Sequence, residues 1–309
     1  MPSLRDISHV VYRHPDLDAA ERFYADFGLV PAGRSGSRLY LRGTGPAPYP
    51  YVAEQADAPG FVGVAYAVDS LDDLREAAAR PGAGPLEAID GPGGGHRVSL
   101  ADRDGFRIDL VHGIAAAEPL PLRDPLTLNN AVRKQRYGST QRPPKGPASI
   151  MRLGHVALMV SDVRGSVDWA MRTLGLLPSD FIYDGSRDNL VGAFLRLDRG
   201  EAWTDHHSLA LFRGRGVHIH HASFEVQDYD AAVIGREWLS GHGWSPFWGI
   251  GRHVLGSQVF DYWRDPAGFM MEHYTDGDLC QRDTPPGYHQ ACPEALYQWG
   301  PDVPPSFLD

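Results

Sequence analysis

The chain has 309 residues, of which 42% are hydrophobic and 22% are charged, a composition typical of a folded protein with enough apolar residues for two buried cores. Its formal net charge of −10 argues against nucleic acid or an anionic membrane as a partner. No apolar run is long enough to span a bilayer, and residues 1–6 lack the apolar core of a signal peptide. We therefore expect a cytoplasmic protein that binds neither nucleic acid nor membrane.

Cysteine and histidine are the two residue types that bear most on the chemistry. The two cysteines, Cys280 and Cys292, could form a disulfide, but nothing else suggests a secreted protein, and a reducing compartment is the better expectation. Histidine occurs 14 times, and five copies lie between positions 206 and 221. This cluster indicates a functional site in the second half of the chain.

The chain opens with a strand-like run and a helix, and the same order recurs in its middle. Each copy has a histidine in the strand, an aspartate seven residues later at the helix start, a glycine at the helix end and a proline three residues after that glycine. The matched positions are His9 and His155, Asp16 and Asp162, Gly28 and Gly175, and Pro31 and Pro178. The helix differs in length by one residue, and this repeat predicts a duplicated fold.

Each copy also contains a second strand–helix start and a closing turn followed by a strand. The second starts are residues 62–68 before Asp69 and residues 220–226 before Asp228. In the closing turns a glycine stands four residues before an acidic residue, as Gly105 before Asp109 and Gly268 before Glu272. The pattern predicts four βαβββ modules of the α+β class, because short helix-to-strand connections allow mixed sheets.

The modules pair into two predicted domains. Residues 1–113 form the first domain and residues 151–276 the second. Residues 114–150, rich in proline and in lysine and arginine, are predicted to be a linker. Residues 277–309, with two Pro-Pro pairs, are predicted to be an irregular tail that wraps the second domain.

Three residues of the second domain have the right chemistry to hold one metal ion, namely His155, His221 and Glu272. Strand alternation places His155 opposite the aliphatic face of residues 156, 158 and 160, and it places His221 opposite the apolar face of residues 222, 224 and 226. A curved sheet with the polar faces turned inward would bring the three side chains together.

Two imidazoles and one carboxylate leave about three positions open on an octahedral ion, which favours non-haem Fe(II), with Mn(II) as a possible substitute. A strand histidine taken alone is more often a hydrogen-bonded residue than a ligand. Suitable residue types at repeat-equivalent positions on three strands nevertheless favour the metal site.

The second domain resembles the type I extradiol dioxygenases of the vicinal-oxygen-chelate superfamily. The resemblance lies in Leu-Gly-His155-Val-Ala-Leu, in His220-His221-Ala-Ser-Phe, and in Tyr262 followed ten residues later by Glu272 within Asp-Tyr-Trp-Arg-Asp-Pro-Ala-Gly-Phe-Met-Met-Glu. It implies two vicinal-oxygen-chelate domains, each a curved, barrel-like mixed sheet with outer helices. It also implies Fe(II) bound by His155, His221 and Glu272, and we expect a homo-oligomer.

Three further residues match catalytic positions of the family, and the resemblance gives each a role. Tyr262 and His253 would hydrogen-bond a catecholate oxygen, and His206 would stabilise reduced oxygen and deliver a proton. His207 lies next to His206, and the sequence by itself does not distinguish the two. In the first domain the corresponding metal positions are His9, Gly63 and Asp109, a broken triad that predicts a vestigial domain and one metal per chain.

The resemblance implies that a catechol and O2 react at the metal, that the ring opens beside the diol, and that a 2-hydroxymuconic semialdehyde-type product forms in aromatic catabolism. One alternative is a glyoxalase- or lyase-like metalloenzyme of the same superfamily, whose sites typically use two glutamates. Another is a non-catalytic ligand-binding protein, which would have no need of His206, His253 or Tyr262. No Gly-x-Ser-x-Gly motif supports a hydrolase.

Overall fold

The computed structural model describes residues 2–308, and the elements follow the predicted modular order. The helices are α1 (Leu17–Phe27), α2 (Leu71–Ala78), α3 (Val163–Leu174) and α4 (Tyr229–Gly241), and a 3-10 turn covers Pro293–Ala295. The strands of the first half are β1 (Leu4–His14), β2 (Val30–Ser35), β3 (Arg38–Arg42), β4 (Tyr51–Gln55), β5 (Gly60–Val68), β6 (Glu87–Ala88), β7 (His96–Ala101) and β8 (Arg107–His112). Those of the second half are β9 (Ile150–Val160), β10 (Leu177–Asp184), β11 (Ser186–Arg196), β12 (Thr204–Asp205), β13 (Leu209–Arg213), β14 (His218–Val226), β15 (Pro246–Arg252), β16 (Val259–Arg264), β17 (Met270–Thr275), β18 (Leu279–Cys280) and β19 (Gly287–Gln290).

Each half forms one large mixed sheet. The first sheet has the order β2-β3-β4-β1-β5-β8-β7-β6, and the second has the order β15-β16-β17-β14-β9-β13-β11-β10-β19. In both sheets the opening strands of the two modules, β1 with β5 and β9 with β14, are antiparallel neighbours near the centre. The predicted α+β class, with four βαβββ modules in two curled-sheet domains, is confirmed.

The helix ends lie where the repeat predicted them. Asp16 caps α1 by accepting hydrogen bonds from two backbone amides, and Asp162 caps α3 by accepting one. Both helices end at a glycine in the left-handed region, Gly28 with φ of 112° and Gly175 with φ of 73°. At Gly28 a Cβ atom would also lie 2.0 Å from the carbonyl oxygen of Ala148, so this position excludes any side chain for two reasons.

The closing turns of the two halves are built alike. The Oδ1 atom of Asp102 accepts hydrogen bonds from the backbone amides of residues 104 and 106, at 2.9 and 2.8 Å. The Oδ1 atom of Asp265 accepts from the amides of residues 267 and 269, both at 2.9 Å. This shared turn aims β8 and β17, and with them Asp109 and Glu272, along equivalent paths.

The two halves share one hydrophobic core, to which both sheets and all four helices contribute. Polar contacts also cross between the halves. Tyr24 of α1 donates a hydrogen bond to Asp265 at 2.8 Å, and the indole nitrogens of Trp238 and Trp244 both bond Asp26 at 2.9 Å. The second half is therefore held against the first half by buried packing and by directed hydrogen bonds.

Residues 113–149 contain no helix or strand. The prediction of an irregular tail was incomplete, because β19 pairs with β10 and extends the second sheet, and β18 pairs with β12. Cys280 is buried, Cys292 is exposed, and both are free thiols. None of the helices within the described part of the chain is both long and apolar enough to cross a bilayer.

Candidate metal centre

The candidate metal centre lies on three adjacent strands in the middle of the second sheet. In the register of β9, β14 and β17, His155 faces Ser223, and Ser223 faces Glu272. His221 stands two residues before Ser223 and so points to the same side of the sheet. Neighbouring strands are less than 5 Å apart, so this register by itself brings the three side chains together.

The atoms that could bind a metal form a small triangle. The Nε2 atoms of His155 and His221 are 3.2 Å apart, and Oε2 of Glu272 lies 3.2 Å from the first and 3.4 Å from the second. All three residues are buried, and Glu272 is fully enclosed. Within residues 2–308 this is the one group of three such side chains with ligand atoms close enough to share an ion.

The triangle fits a divalent cation. Atoms at these separations lie about 1.9 Å from their common centre, so an ion slightly out of their plane would be about 2.1 Å from each, the usual metal–ligand distance. Neither carboxylate oxygen of Glu272 accepts a well-directed hydrogen bond from the protein. A buried carboxylate without such bonds is costly unless a cation compensates it, so the unsatisfied oxygens also favour a metal.

The pKa shifts of Glu272 and His155 agree with their roles as metal ligands. Burial disfavours the ionised form of Glu272, but the adjacent imidazoles of His155, His221 and His253 outweigh it and hold its pKa well below the usual value. Burial lowers the pKa of His155, which favours the neutral imidazole that a metal requires.

A cavity lies beside the triangle, and Tyr262 and His253 are among the residues that line it. The Tyr262 hydroxyl lies 2.9 Å from Nε2 of His253, whose Nδ1 lies 2.7 Å from the carbonyl oxygen of Leu296. His253 Nε2 is also 3.6 Å from Glu272. Burial, and then the Glu272 carboxylate, raise the pKa of Tyr262 well above its usual value. The structure thus brings both predicted residues to the candidate metal centre.

The structure does not bring His206 to the cavity. Its Nε2 atom lies 2.7 Å from Asp180 on β10, whereas His207 lines the cavity with its ring centroid 4.1 Å from that of His155. Residues 206–208 lie between β12 and β13, outside the regular alternation that a strand would impose. Strand alternation extended back from Leu209 would place His206, not His207, on the cavity side. The sequence pattern therefore gave no means of selecting His207.

His220 is a second cavity residue that the sequence did not reveal. Alternation along β14 would place it on the core side with Ala222, but the register of β14 with β9 shifts between Ile219 and His221. The resulting bulge lets His220 line the cavity beside His221, with their Nδ1 atoms 2.6 Å apart. Its Nε2 bonds the carbonyl oxygen of Phe307 in the tail.

The equivalent positions of the first half hold no such triangle. Asp109 receives two bonds from Arg107, at 2.8 and 2.7 Å, and one from Ser99 at 2.6 Å. The Nδ1 atom of His9 lies 3.0 Å from the hydroxyl of Ser8. At Gly63 a Cβ atom would lie 2.4 Å from the carbonyl oxygen of Arg107, so no ligand side chain could be accommodated there without movement.

Comparison with known proteins places this chain in a family. Residues 152–273 match the family model described as the glyoxalase/bleomycin resistance protein/dioxygenase superfamily. The chain is 31% identical to metapyrocatechase 2 of Cupriavidus necator over 319 aligned positions, which cover 99% of this chain and 92% of that protein.

Two solved structures share the fold along nearly the whole chain. The Mn(II)-bound glyoxalase from Novosphingobium aromaticivorans has a TM-score of 0.82 at 23% identity, with 100% of this chain and 95% of that one covered. Homoprotocatechuate 2,3-dioxygenase from Brevibacterium fuscum, in complex with 3,4-dihydroxyphenylacetate, has a TM-score of 0.81 at 20% identity, with 99% and 92% covered. At these identities the similarity establishes the fold alone.

The paired curled-sheet domains and the His-His-Glu triangle define a metalloprotein of the vicinal-oxygen-chelate superfamily. Because the similarity to a metapyrocatechase spans nearly the entire sequence, the chain belongs to the type I extradiol dioxygenases, the ring-cleaving branch of that superfamily. The resemblance predicted from the sequence motifs is confirmed.

Proposed function

We propose that this enzyme uses Fe(II) and O2 to open the ring of a catechol beside its two hydroxyl groups, giving a 2-hydroxymuconic semialdehyde or a substituted relative. Both oxygen atoms enter the product, one ring carbon–carbon bond breaks, and no external reductant is needed. One observation carries the proposal: two imidazole nitrogens and a carboxylate oxygen lie within 3.4 Å of one another beside a cavity lined by Tyr262, His253 and His207.

His155, His221 and Glu272 are the residues that would hold the metal. Two imidazoles with one carboxylate are the ligand set of non-haem Fe(II) oxygenases, which supports Fe(II) over Mn(II). When bound, the metal would favour the ionised diol by its charge and would connect the ring and dioxygen electronically. The contact between the Nδ1 atoms of His220 and His221 would fix the orientation of that second imidazole.

Tyr262 and His253 are proposed to manage the proton that the diol releases. The carbonyl oxygen of Leu296 can only accept, so the proton of a neutral His253 lies on Nδ1, and Nε2 is left as an acceptor. Nε2 then accepts the hydrogen bond of the Tyr262 hydroxyl, whose oxygen is free to accept from the diol. A proton leaving the diol can therefore pass through Tyr262 and be held on Nε2 of His253.

His207 takes the role that the resemblance implied for His206, because His207 borders the cavity and His206 does not. Its Nδ1 atom lies 3.0 Å from Nδ1 of His206, so Nε2 is the ring nitrogen left for the cavity. From this position Nε2 can accept a proton and return it to oxygen when the O–O bond breaks.

The cavity walls support a catechol with an apolar substituent. Beside the histidines, the cavity is lined by aliphatic and aromatic side chains, among them Ile182, Phe194, Phe212, Leu255 and Leu296. Among the described residues that line this cavity there is no arginine, lysine, aspartate or glutamate. A carboxylate on the ring would lose water without gaining a cationic partner, so alkyl catechols should be preferred over carboxylated ones.

Anaerobic reconstitution of metal-free enzyme tests this proposal. Portions are loaded with Fe(II), Mn(II) or Zn(II), mixed with catechol, 4-methylcatechol or protocatechuate, and exposed to air while oxygen uptake and the yellow product are followed. We expect one O2 per catechol, the fastest turnover with Fe(II), and 4-methylcatechol preferred over protocatechuate by about 10-fold or more. A protein colourless with every catechol under all three metals would contradict ring cleavage and favour a glyoxalase- or lyase-like activity.

Two further assignments accompany this function. We place the enzyme in the cytoplasm, where both free cysteines would stay reduced. We also propose a homo-oligomer, which analytical ultracentrifugation would test directly.

A further inference from the structure

A line of hydrogen-bonded side chains leads from the cavity to the C-terminal tail. Nδ1 of His207 lies 3.0 Å from Nδ1 of His206, and Nε2 of His206 lies 2.7 Å from Oδ2 of Asp180. The other oxygen of Asp180 lies 2.7 Å from Nε2 of His289 on β19. His206 and His207 are buried, so the bond between them is shielded from competing water.

The hydrogen positions along this line follow from what each group can donate. An ionised Asp180 can only accept, so the proton of a neutral His206 lies on Nε2 and its Nδ1 presents a lone pair. That lone pair needs a donor, and Nδ1 of His207 is the atom that faces it. His207 therefore carries its proton on Nδ1, which leaves Nε2 unprotonated.

Three local features keep Asp180 in place as an ionised acceptor. At Gly287 a Cβ atom would lie 2.1 Å from Oδ1 of Asp180 and 2.6 Å from Nε2 of His289, so the bare glycine is what lets those two groups meet. Gly287 faces Asp180 in the β10–β19 ladder, which fixes the approach. Burial works against ionisation of Asp180, but the bonds from His206 and His289 lower its pKa below the usual value, so it remains an acceptor.

We propose that Asp180 and His206 are positioning residues that hold His207 in the tautomer with Nδ1 protonated, so that a basic Nε2 faces the substrate cavity. The inference rests on the proposed function, because it gives His207 the proton-handling role described above. His206, which the sequence suggested as a catalytic residue, thus acts through its neighbour. His289 on β19 donates a hydrogen bond to the other oxygen of Asp180 and so connects this carboxylate to the C-terminal tail.

Two substitutions at one position separate hydrogen bonding from packing. His206→Leu removes the acceptor that faces His207, whereas His206→Asn places an amide oxygen near the former Nδ1 atom and keeps an acceptor there. We expect His206→Leu to lower kcat by about 10- to 100-fold with little change in KM, and His206→Asn to recover most of that loss. His242→Leu, at an exposed histidine that ends α4, is the matched control and should leave kcat unchanged.

The tautomer itself can be observed without turnover. Zn(II)-loaded protein labelled with 15N in histidine is diamagnetic, and the two ring nitrogens of each histidine then report directly which one carries the proton. We expect His207 to be protonated at Nδ1 in the wild type and in His206→Asn, and to shift toward the Nε2-protonated form in His206→Leu. Metal content and thermal midpoint, measured on the same samples, identify a variant that has merely misfolded.

The results that would overturn the inference differ from those that would overturn the proposed function. Equal kcat values for properly folded His206→Leu and His206→Asn, or an Nε2-protonated His207 in the wild type, would reject the positioning role even if catechol is cleaved. Failure of the wild type to cleave any catechol would reject the function, while the nitrogen shifts would still show whether the tautomer is set as proposed.

Discussion

The two halves of this molecule build the same sheet, but only the second assembles a metal site. Across β9, β14 and β17 the facing residues are His155, Ser223 and Glu272. Across β1, β5 and β8 the equivalent residues are His9, Ala65 and Asp109. A histidine and an acid therefore stand at the same places in both sheets, so the backbone alone does not explain the difference.

The difference arises two residues before Ser223 on β14 and two residues before Ala65 on β5. His221 faces Met270 in the second half, whereas Gly63 faces Arg107 in the first. The first half thus lacks the second imidazole, and it gains an arginine whose guanidinium neutralises Asp109. In this fold a metal site thus requires a full set of ligands and also an acidic ligand that no lysine or arginine side chain neutralises.

The largest expected effect comes from removing that acid. Glu272→Gln should abolish stoichiometric metal binding and lower the rate of ring cleavage by about 10³-fold or more, because a bound metal lowers the activation barrier by several kcal/mol. Metal analysis and oxygen uptake measure both quantities. Asp109→Asn is the matched change in the first half, and loss of metal in that variant would break the comparison between the halves.

A histidine beside the cavity of each half gives the next test. His207→Ala should lower kcat by about 100-fold or more, the usual scale of general acid–base catalysis, with metal content retained. His9→Ala removes the histidine that lines the corresponding cavity of the first half, and kcat should stay within about twofold of wild type because no chemistry is assigned there. A comparable loss of kcat in both variants would mean that the first half is not vestigial.

The next prediction tests whether Gly63, the first-half equivalent of His221, has room for a side chain, and it does so through the free energy of unfolding. Gly63→Ala should lower the free energy of unfolding by about 3 kcal/mol, because the new methyl group would lie 2.4 Å from a backbone oxygen. Gly241→Ala, at the end of α4 with nothing within 4 Å, should be neutral or slightly stabilising. Denaturant titrations compare the two, and a neutral Gly63→Ala would show that space does not exclude a ligand there.

The smallest expected effect is a difference in how the closing turns at Asp265 and Asp102 make the free energy of unfolding depend on pH. Burial raises the pKa of Asp265 to about 6 from 3.8. Because the folded-state pKa exceeds the unfolded one, this group contributes stability that is complete below about pH 3.8 and is lost as the pH rises through about 6. Asp265→Asn cannot ionise, so between pH 4 and 7.5 its free energy of unfolding should gain about 2 kcal/mol relative to wild type.

Asp102 in the first half provides the control for that measurement. Burial raises its pKa as well, but it is only partly buried and lacks the contact that Tyr24 makes with Asp265. Unfolding of Asp102→Asn across the same pH range should therefore show a smaller dependence. Equal curves for the two variants would mean that the contact between the halves does not distinguish the turns.

Much of the fold and of the metal triangle could be predicted because both depend on short-range rules. The caps at Asp16, Asp162, Gly28 and Gly175 follow from local backbone chemistry, and all four lie where the repeat placed them. The triangle needed only strand alternation and a repeat. His207 could not be predicted, because residues 206–208 belong to no strand, and a one-residue error there exchanges a cavity residue for a buried partner.

The sequence by itself determined the modular order, which half carries an unbroken His-His-Glu set, and the family. All three depend on residue types at fixed spacings, which can be read directly from a single sequence. Only the tertiary structure decided which histidine faces the cavity, that a bulge turns His220 toward it, and that Asp180 and His289 line up behind His206. These features depend on contacts between residues as much as 109 positions apart, and no local pattern encodes which of their atoms will meet.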